Sequence, residues 1–127
     1  MLNVIDSSAW LDYFADGPNA DTFAEPIEDP ALLVVPTITL LEVFKRIAAQ
    51  RGEGPALQAV AVMHQGKMVD LDSSIALLAA RIGAKHSLPL ADSVILATTR
   101  IHDATLWSQD SDFQGLEDVR YFPTQRN

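Results

Sequence analysis

The chain has 127 residues, of which 48% are hydrophobic and 20% are charged, and it contains no cysteine. This size and composition predict one globular domain with a buried core and exclude an intrinsically disordered chain, and the lack of cysteine excludes disulfides, thiolate metal ligands and cysteine nucleophiles. The formal net charge of −8 argues against a protein that coats nucleic acid through a broad basic face, although acids gathered around a divalent cation carry the same formal charge.

The chain shows no signal for a membrane or for secretion. Its first residues, MLNVIDSSAW, reach an acid without a basic region followed by an apolar stretch. No apolar run approaches the length of a membrane-spanning helix. These features predict a cytoplasmic protein without membrane attachment.

The first half of the chain alternates between strand and helix patterns. In chain order it predicts a strand at 2–6, helices at 7–14 and 19–30, a buried strand at 31–36, and helices at 37–52 and 55–66. Ser7 or Ser8 is expected to cap the first helix, and Pro26 is expected to interrupt the second. Thr37 or Thr39 is expected near the start of the longest helix in this half.

The second half continues the alternation. It predicts a strand at 67–71, helices at 73–86 and 90–102, a strand at 105–108, an acidic turn at 109–118 and a last strand at 119–122. Ser73 is expected to begin the first of these helices, and Gly83 weakens its helical pattern. Because no hairpin signal appears and several strands are continuous apolar runs, the chain predicts an α/β fold whose parallel sheet is covered by helices on both faces.

Several acids fall where such a fold places its ligand site, outside the carboxyl ends of the strands. Asp6 ends the first strand, and Asp110 and Asp112 follow the fourth. Asp92 lies in the first turn of a helix, and Glu42 lies in the first turns of another. These positions predict that the acids come together at one edge of the sheet.

Each of these acids also has an ordinary structural explanation. Asp6 can cap a helix, Asp110 can form an Asx turn or a cap, and Asp92 can interact favourably with a helix N-terminus. Glu42 precedes Arg46 by four residues, which is the favoured spacing for an exposed helical ion pair. Taken one at a time, the acids therefore do not establish a site.

The helical position of Asp92 weakens its structural explanation. Ile95, Leu96 and Thr99 share its helix face, so the carboxylate is directed toward the packed side of the helix. Two carboxylates about 4 Å apart repel by about 4 kcal/mol at an effective dielectric of about 20, so a cluster of them needs protons or cations. Oxygen ligands without cysteine, and with only scattered histidines, favour Mg²⁺ or Mn²⁺ over zinc.

Four short motifs contain the acids described above, namely VIDSSAW, TLLE, LPLADSVILATT and LWSQDSDF. Together they resemble the PIN-domain ribonucleases, in particular the VapC-type toxins of toxin–antitoxin pairs. They cover nearly the whole chain in the expected order. The resemblance implies a single PIN domain over residues 1–127, with a PIN-like three-layer α/β fold in which helices flank a central parallel sheet.

The resemblance also implies an activity and a site. The activity is that of a Mg²⁺- or Mn²⁺-dependent endoribonuclease, which hydrolyses RNA phosphodiester bonds with metal-activated water and leaves a 5′-phosphate and a 3′-hydroxyl. The implied catalytic and metal-binding acids are Asp6, Glu42, Asp92 and Asp110, with Ser8, Ser108 and Asp112 in supporting positions. Because Ser108 stands where the family often has threonine, the fourth ligand is either Asp110 or Asp112.

The partners implied by the resemblance are an RNA substrate, a VapB-like antitoxin that blocks the acidic groove, and a second copy of the chain. The homodimer is expected to form through helices in the N-terminal half. An amphipathic antitoxin helix would suit an apolar groove beside the acids.

A response-regulator-like phosphoacceptor domain is the alternative, because it has a similar length, a parallel sheet and an acidic metal pocket. Asp70 or Asp72 would then take the acceptor position. That class needs an acidic pair after the first strand and a lysine after the last strand, whereas this chain offers only Asp6 and no lysine there.

Overall fold

A five-stranded sheet forms the centre of the computed structural model, which describes residues 1–125. The strands are β1 (Asn3–Ile5), β2 (Leu33–Pro36), β3 (Lys67–Val69), β4 (Thr105–Ser108) and β5 (Val119–Tyr121). Their order in the sheet is β3-β2-β1-β4-β5, and every neighbouring pair is parallel. The predicted parallel sheet is therefore confirmed.

Six helices are found among the described residues. They are α1 (Ser7–Phe14), α2 (Ala20–Ile27), α3 (Thr37–Arg51), α4 (Glu53–Met63), α5 (Ser73–His86) and α6 (Leu90–Ile101). None of the described helices has the length and apolar character that crossing a bilayer requires.

The helices cover both faces of the sheet, because successive strand residues point to opposite sides. Ile5 and Trp107 belong to a core that contains buried residues of α1, α2, α3 and α4. Val4 and Leu106, their neighbours in sequence, belong to a second core that contains residues of α5 and α6. The predicted three-layer α/β architecture is thus confirmed.

The strand order defines a switch point between β1 and β4. From β1 the chain builds outward through β2 and β3, and it then crosses back to add β4 and β5 on the other side. Crevices at such a point lie outside the carboxyl ends of the strands and are where open α/β sheets bind ligands. Asp6 follows β1 and Ser108 ends β4, so both reach this crevice.

The cap of α1 differs from the sequence prediction, whereas the start of α5 agrees with it. Asp6 caps α1 by accepting a hydrogen bond from the backbone N–H of Ala9, so the expected cap at Ser7 or Ser8 is wrong. In the same way Asp72 caps α5, and the expected start at Ser73 is its first helical residue. Aspartate and serine are both good caps, so adjacent candidates cannot be separated by residue type.

Pro26, which was expected to interrupt α2, and Gly83, which was expected to weaken the pattern of α5, both lie inside their helices. Pro26 lies in the last turn of α2, where the helix ends one residue later. Gly83 lies inside α5, which continues to His86. A Cβ at Gly83 would lie 2.6 Å from the Oγ atom of buried Ser93, so this glycine allows α5 and α6 to approach closely.

Replacing Asp72 by Ala is expected to lower the free energy of unfolding by about 1 kcal/mol, because the N–H of Ile75 loses its acceptor. Urea denaturation measures this change. Ser73→Ala is the matched control and should have a much smaller effect. Equal losses in the two variants would contradict the assigned cap.

Candidate active site

Three carboxylates converge beyond the carboxyl end of β4. Asp92 comes from the first turn of α6, and Asp110 and Asp112 come from the segment after β4. Each offers an oxygen atom, and these atoms lie within 4.8 Å of one another. Asp110 also accepts a hydrogen bond of 2.9 Å from the N–H of Asp112, which orders the turn between them. Both candidates for the fourth acid therefore stand beside Asp92.

Asp6 is buried at the end of β1, with only 2% of its surface exposed. Its Oδ1 atom accepts hydrogen bonds from the N–H of Ala9 and from Ser8 Oγ, both at 2.9 Å. Its Oδ2 atom accepts a hydrogen bond of 2.8 Å from Ser108 Oγ. Asp6 therefore caps α1 and also lies in the acidic site. Its structural role as a cap is compatible with a role in the site.

Ser108 connects the two sides of the site. Its hydroxyl donates to Asp6 and accepts a hydrogen bond of 2.9 Å from the N–H of Asp110. Since the residue is fully buried, this hydroxyl fixes the relative positions of the β1 and β4 ends. Ser8 and Ser108 both contact the Asp6 carboxylate directly.

Glu42 is oriented by Ser7, for which the sequence indicated only a place near the start of α1. Its Oε1 atom accepts a hydrogen bond of 2.6 Å from Ser7 Oγ, which joins α3 to α1. The ion pair expected between Glu42 and Arg46 is not formed, since within residues 1–125 only Arg100 and Asp118 form an ion pair. The only sequence signal for Ser7 is its place directly after Asp6.

One cavity of about 520 Å³ contains all four acids predicted from the motifs. Its acidic lining residues are Asp6, Glu42, Asp92 and Asp110. Asp112 is not part of this lining and joins the site through its proximity to Asp92 and Asp110.

Burial and mutual repulsion raise the pKa of two of these acids. Burial raises the pKa of Asp6 to about 6, and the charge of Asp110 contributes, while hydrogen bonds from Ala9, Ser108 and Ser8 oppose the shift. The pKa of Asp92 is raised to about 7, and burial is the main cause. The charges of Asp110 and Asp6 and the proximity of Asp112 raise it further. Ionised acids are therefore unfavourable here unless a positive charge joins them.

The donor set fits a hard divalent cation. All candidate ligand atoms are carboxylate oxygens, and no cysteine exists in the chain. Such atoms suit Mg²⁺ or Mn²⁺, and the repulsion among them is what a cation would relieve. Asp92, Asp110 and Asp112 are the nearest to one another, with Asp6 and Glu42 at the same cavity wall.

Comparison with known proteins gives both a sequence and a structural similarity. The family model of the PIN domain matches residues 4–119. No curated protein sequence matches the chain.

Several solved structures share the fold. A toxin–antitoxin complex from Klebsiella pneumoniae superposes with a TM-score of 0.78 at 23% identity and covers 93% of this chain and 95% of its own. VapC20 from Mycobacterium tuberculosis, a sarcin-ricin loop cleaving toxin, gives 0.76 at 17% identity over 93% and 98%. FitAcB from Neisseria gonorrhoeae gives 0.71 at 19% identity over 95% and 96%. The similarity to these structures is one of fold.

Replacing Asp92 by Asn is expected to stabilise the metal-free protein at about pH 8. Because the folded-state pKa of Asp92 is raised from 3.8 to about 7, the wild type loses stability as the pH rises through this interval. The variant should lose less, because its loss comes from Asp6 without the contribution of Asp92. Below about pH 4 the carboxyl group is protonated in both states, so the difference should disappear.

Thermal unfolding in EDTA across this pH range measures the Asp92→Asn effect. Asp70→Asn, at an exposed acid outside the cavity, is the matched control. A variant that is less stable than the wild type at about pH 8 would contradict the repulsion described above.

Replacing Ser108 by Ala is expected to lower the free energy of unfolding by about 1–3 kcal/mol, because a buried carboxylate loses a donor and the N–H of Asp110 loses its acceptor. Chemical denaturation measures this loss. Ser111→Ala, at an exposed residue nearby, is the control. Equal stability of the two variants would argue against a hydroxyl bridge between the two sides of the site.

Proposed function

The chain belongs to the PIN domain family, and on this basis we propose that it is a metal-dependent endoribonuclease, the toxin of a VapBC-type toxin–antitoxin pair. The observation that carries the proposal is the convergence of carboxylates from α6 and the segment after β4, beside Asp6 and Glu42 in one cavity. The similar solved structures support the toxin assignment, since they include toxin–antitoxin complexes and a toxin that cleaves an RNA loop.

The proposed catalytic and metal-binding residues are Asp6, Glu42, Asp92 and Asp110, with Asp112 as an auxiliary acid. Their oxygens would hold Mg²⁺ or Mn²⁺. When bound, the cation supplies Lewis-acid chemistry, which lowers the pKa of water and offsets negative charge on the phosphate that is attacked. Ser8 and Ser108 keep the Asp6 carboxylate in place for this role.

Glu42 is the residue we assign to contact water or the cation from the α3 side. Its Oε1 atom is held by Ser7, and its Oε2 atom has no hydrogen-bond partner within residues 1–125. A carboxylate in this state is able to orient a water molecule and accept its proton. Ser7 is thus a positioning residue in the proposal, because it fixes the side chain that does this.

The phosphoacceptor alternative is not favoured. Response regulators have the strand order 2-1-3-4-5, whereas this sheet has the order β3-β2-β1-β4-β5. Asp72, one of the two candidate acceptor residues, caps α5 through the N–H of Ile75. Its carboxylate therefore already has a structural role.

An antitoxin and a second copy of the chain are the proposed protein partners. The similarity to a toxin–antitoxin complex supports the first. An apolar groove of about 390 Å³ lies between α5 and α6, and exposed Leu71 and Leu90 are among its lining residues. It is not the groove beside the acids, and it is not in the N-terminal half where the sequence placed the dimer.

The purified protein, free of any partner, is expected to cleave total RNA in Mg²⁺ or Mn²⁺ and to be inactive in EDTA. Asp92→Asn should reduce cleavage by at least roughly a hundredfold, because the acidic cluster then has one ligand fewer. The fragments should carry 5′-phosphates, which enzymatic ligation detects.

Asp70→Asn is the control for this experiment and should cleave like the wild type, because Asp70 lies outside the cavity. Cleavage that persists in EDTA or in Asp92→Asn would contradict the proposed site. Incorporation of phosphate from acetyl phosphate that Asp70→Asn abolishes would favour the phosphoacceptor function instead.

A further inference from the structure

Two basic side chains stand in the acidic cavity. Lys45 and Arg46, which are neighbours on α3, line it together with the four acids. Both residues are exposed, and the whole chain has only nine basic residues against 17 acidic ones. Because basic residues are scarce in this chain, the presence of two of them in the acidic cavity is not explained by the average composition of the surface.

Neither cation forms an ion pair with a neighbouring acid among the described residues. Within residues 1–125 the ion pairs do not include Lys45 or Arg46. Glu42, which is four residues before Arg46, is held instead by Ser7 at 2.6 Å. The hydrogen bond between α1 and α3 thus leaves the Arg46 guanidinium available to an anionic ligand.

Arg46 also belongs to a second depression that continues from the cavity. This depression, about 370 Å³ in volume, follows the seam between α1 and α3, and Phe14 and Arg51 are among its lining residues. Ser8 and Leu11 line both spaces, so the two are contiguous. An extended ligand that leaves the acids therefore has a path along α3 that passes Arg46.

If the ligand is RNA, the negative charge of the cavity has to be offset before phosphates can bind, and these cations are able to offset it. A divalent cation offsets only half of four ionised carboxylates, and a cleft that stays negative repels phosphodiesters. Lys45 and Arg46 offset the remainder. Guanidinium and ammonium groups are the usual partners of backbone phosphates, which contribute much of the affinity of nucleic-acid binding.

We propose that Lys45 and Arg46 bind phosphates of the RNA strand next to the scissile bond, with Arg46 holding the strand where it enters the α1–α3 depression. They are positioning residues, since they bind the backbone on either side of the reacting group. The inference rests on the proposed ribonuclease function. It extends that function by naming the residues that hold the substrate and the direction in which the strand leaves the acids.

The test measures binding of a short, fluorescein-labelled, single-stranded RNA of mixed sequence by anisotropy, with the full chain in Mg²⁺ and at several salt concentrations. Asp92→Asn is the parent, so that the RNA stays intact. Adding Lys45→Gln and Arg46→Gln should weaken binding and reduce the slope of log affinity against log salt by about 0.7 for each phosphate that the protein no longer neutralises. Adding Arg81→Gln and Lys85→Gln, which remove equal charge from α5, should leave the slope nearly unchanged.

The same pair of changes is also made in the active protein. Lys45→Gln with Arg46→Gln should raise KM for RNA cleavage by roughly tenfold and change kcat little, because interactions with flanking phosphates are alike in the ground and transition states. A slope equal to that of the parent, an equal effect of the α5 control, or no RNA binding by the parent at low salt would overturn the inference.

Failure of the phosphate-binding role is distinguishable from failure of the ribonuclease function. If the wild type does not cleave RNA with metal present, the ribonuclease function is wrong, and the anisotropy still reports whether the cations bind RNA. If the wild type cleaves and the Lys45 and Arg46 changes leave KM and the salt slope unaltered, only the phosphate-binding role is wrong.

Discussion

Repulsion between carboxylates is the constraint on which the rest of this structure depends. Strand β1, helix α6 and the segment after β4 are far apart in sequence, yet each delivers an acid to the same edge of the sheet. At an effective dielectric of about 20, each close pair of charges opposes folding by several kcal/mol, about 4 at a separation of about 4 Å. Burial and this repulsion raise the pKa values of Asp6 and Asp92, so protonation relieves the repulsion in the metal-free protein. In the proposed function a divalent cation relieves it instead.

Hydroxyl groups and helix ends hold the acids against that repulsion. Ser8 and Ser108 donate hydrogen bonds to Asp6, and Ser108 also accepts a hydrogen bond from the N–H of Asp110. One buried hydroxyl therefore connects the ends of β1 and β4 at the switch point. The Asp6 cap anchors the start of α1, and Ser7 in its first turn then reaches Glu42 on α3. In the proposed function, acids that are already held in place reduce the reorganisation that cation binding and catalysis require.

The sequence predicted the architecture well, because alternating strand and helix patterns depend on local periodicity. It also predicted that Asp6, Glu42, Asp92 and Asp110 share one site, since acids after parallel strands meet at one edge. The sequence did not establish which of several adjacent residues caps a helix, or which residues distant in sequence form a hydrogen bond. Asp6 competes with two serines of similar capping strength, and the Ser7 bond to Glu42 crosses 35 positions, which local spacing cannot reveal.

The proposed function requires that the clustered acids bind a divalent cation. The most direct test is a crystal structure of the protein soaked with Mn²⁺, with an anomalous difference map calculated at the manganese absorption edge. We predict a peak in contact with carboxylate oxygens of Asp92 and of Asp110 or Asp112, in the cavity that Asp6 and Glu42 line. A map with no peak in this cavity at saturating Mn²⁺, while the protein remains folded, would contradict a cation-binding role for the acids.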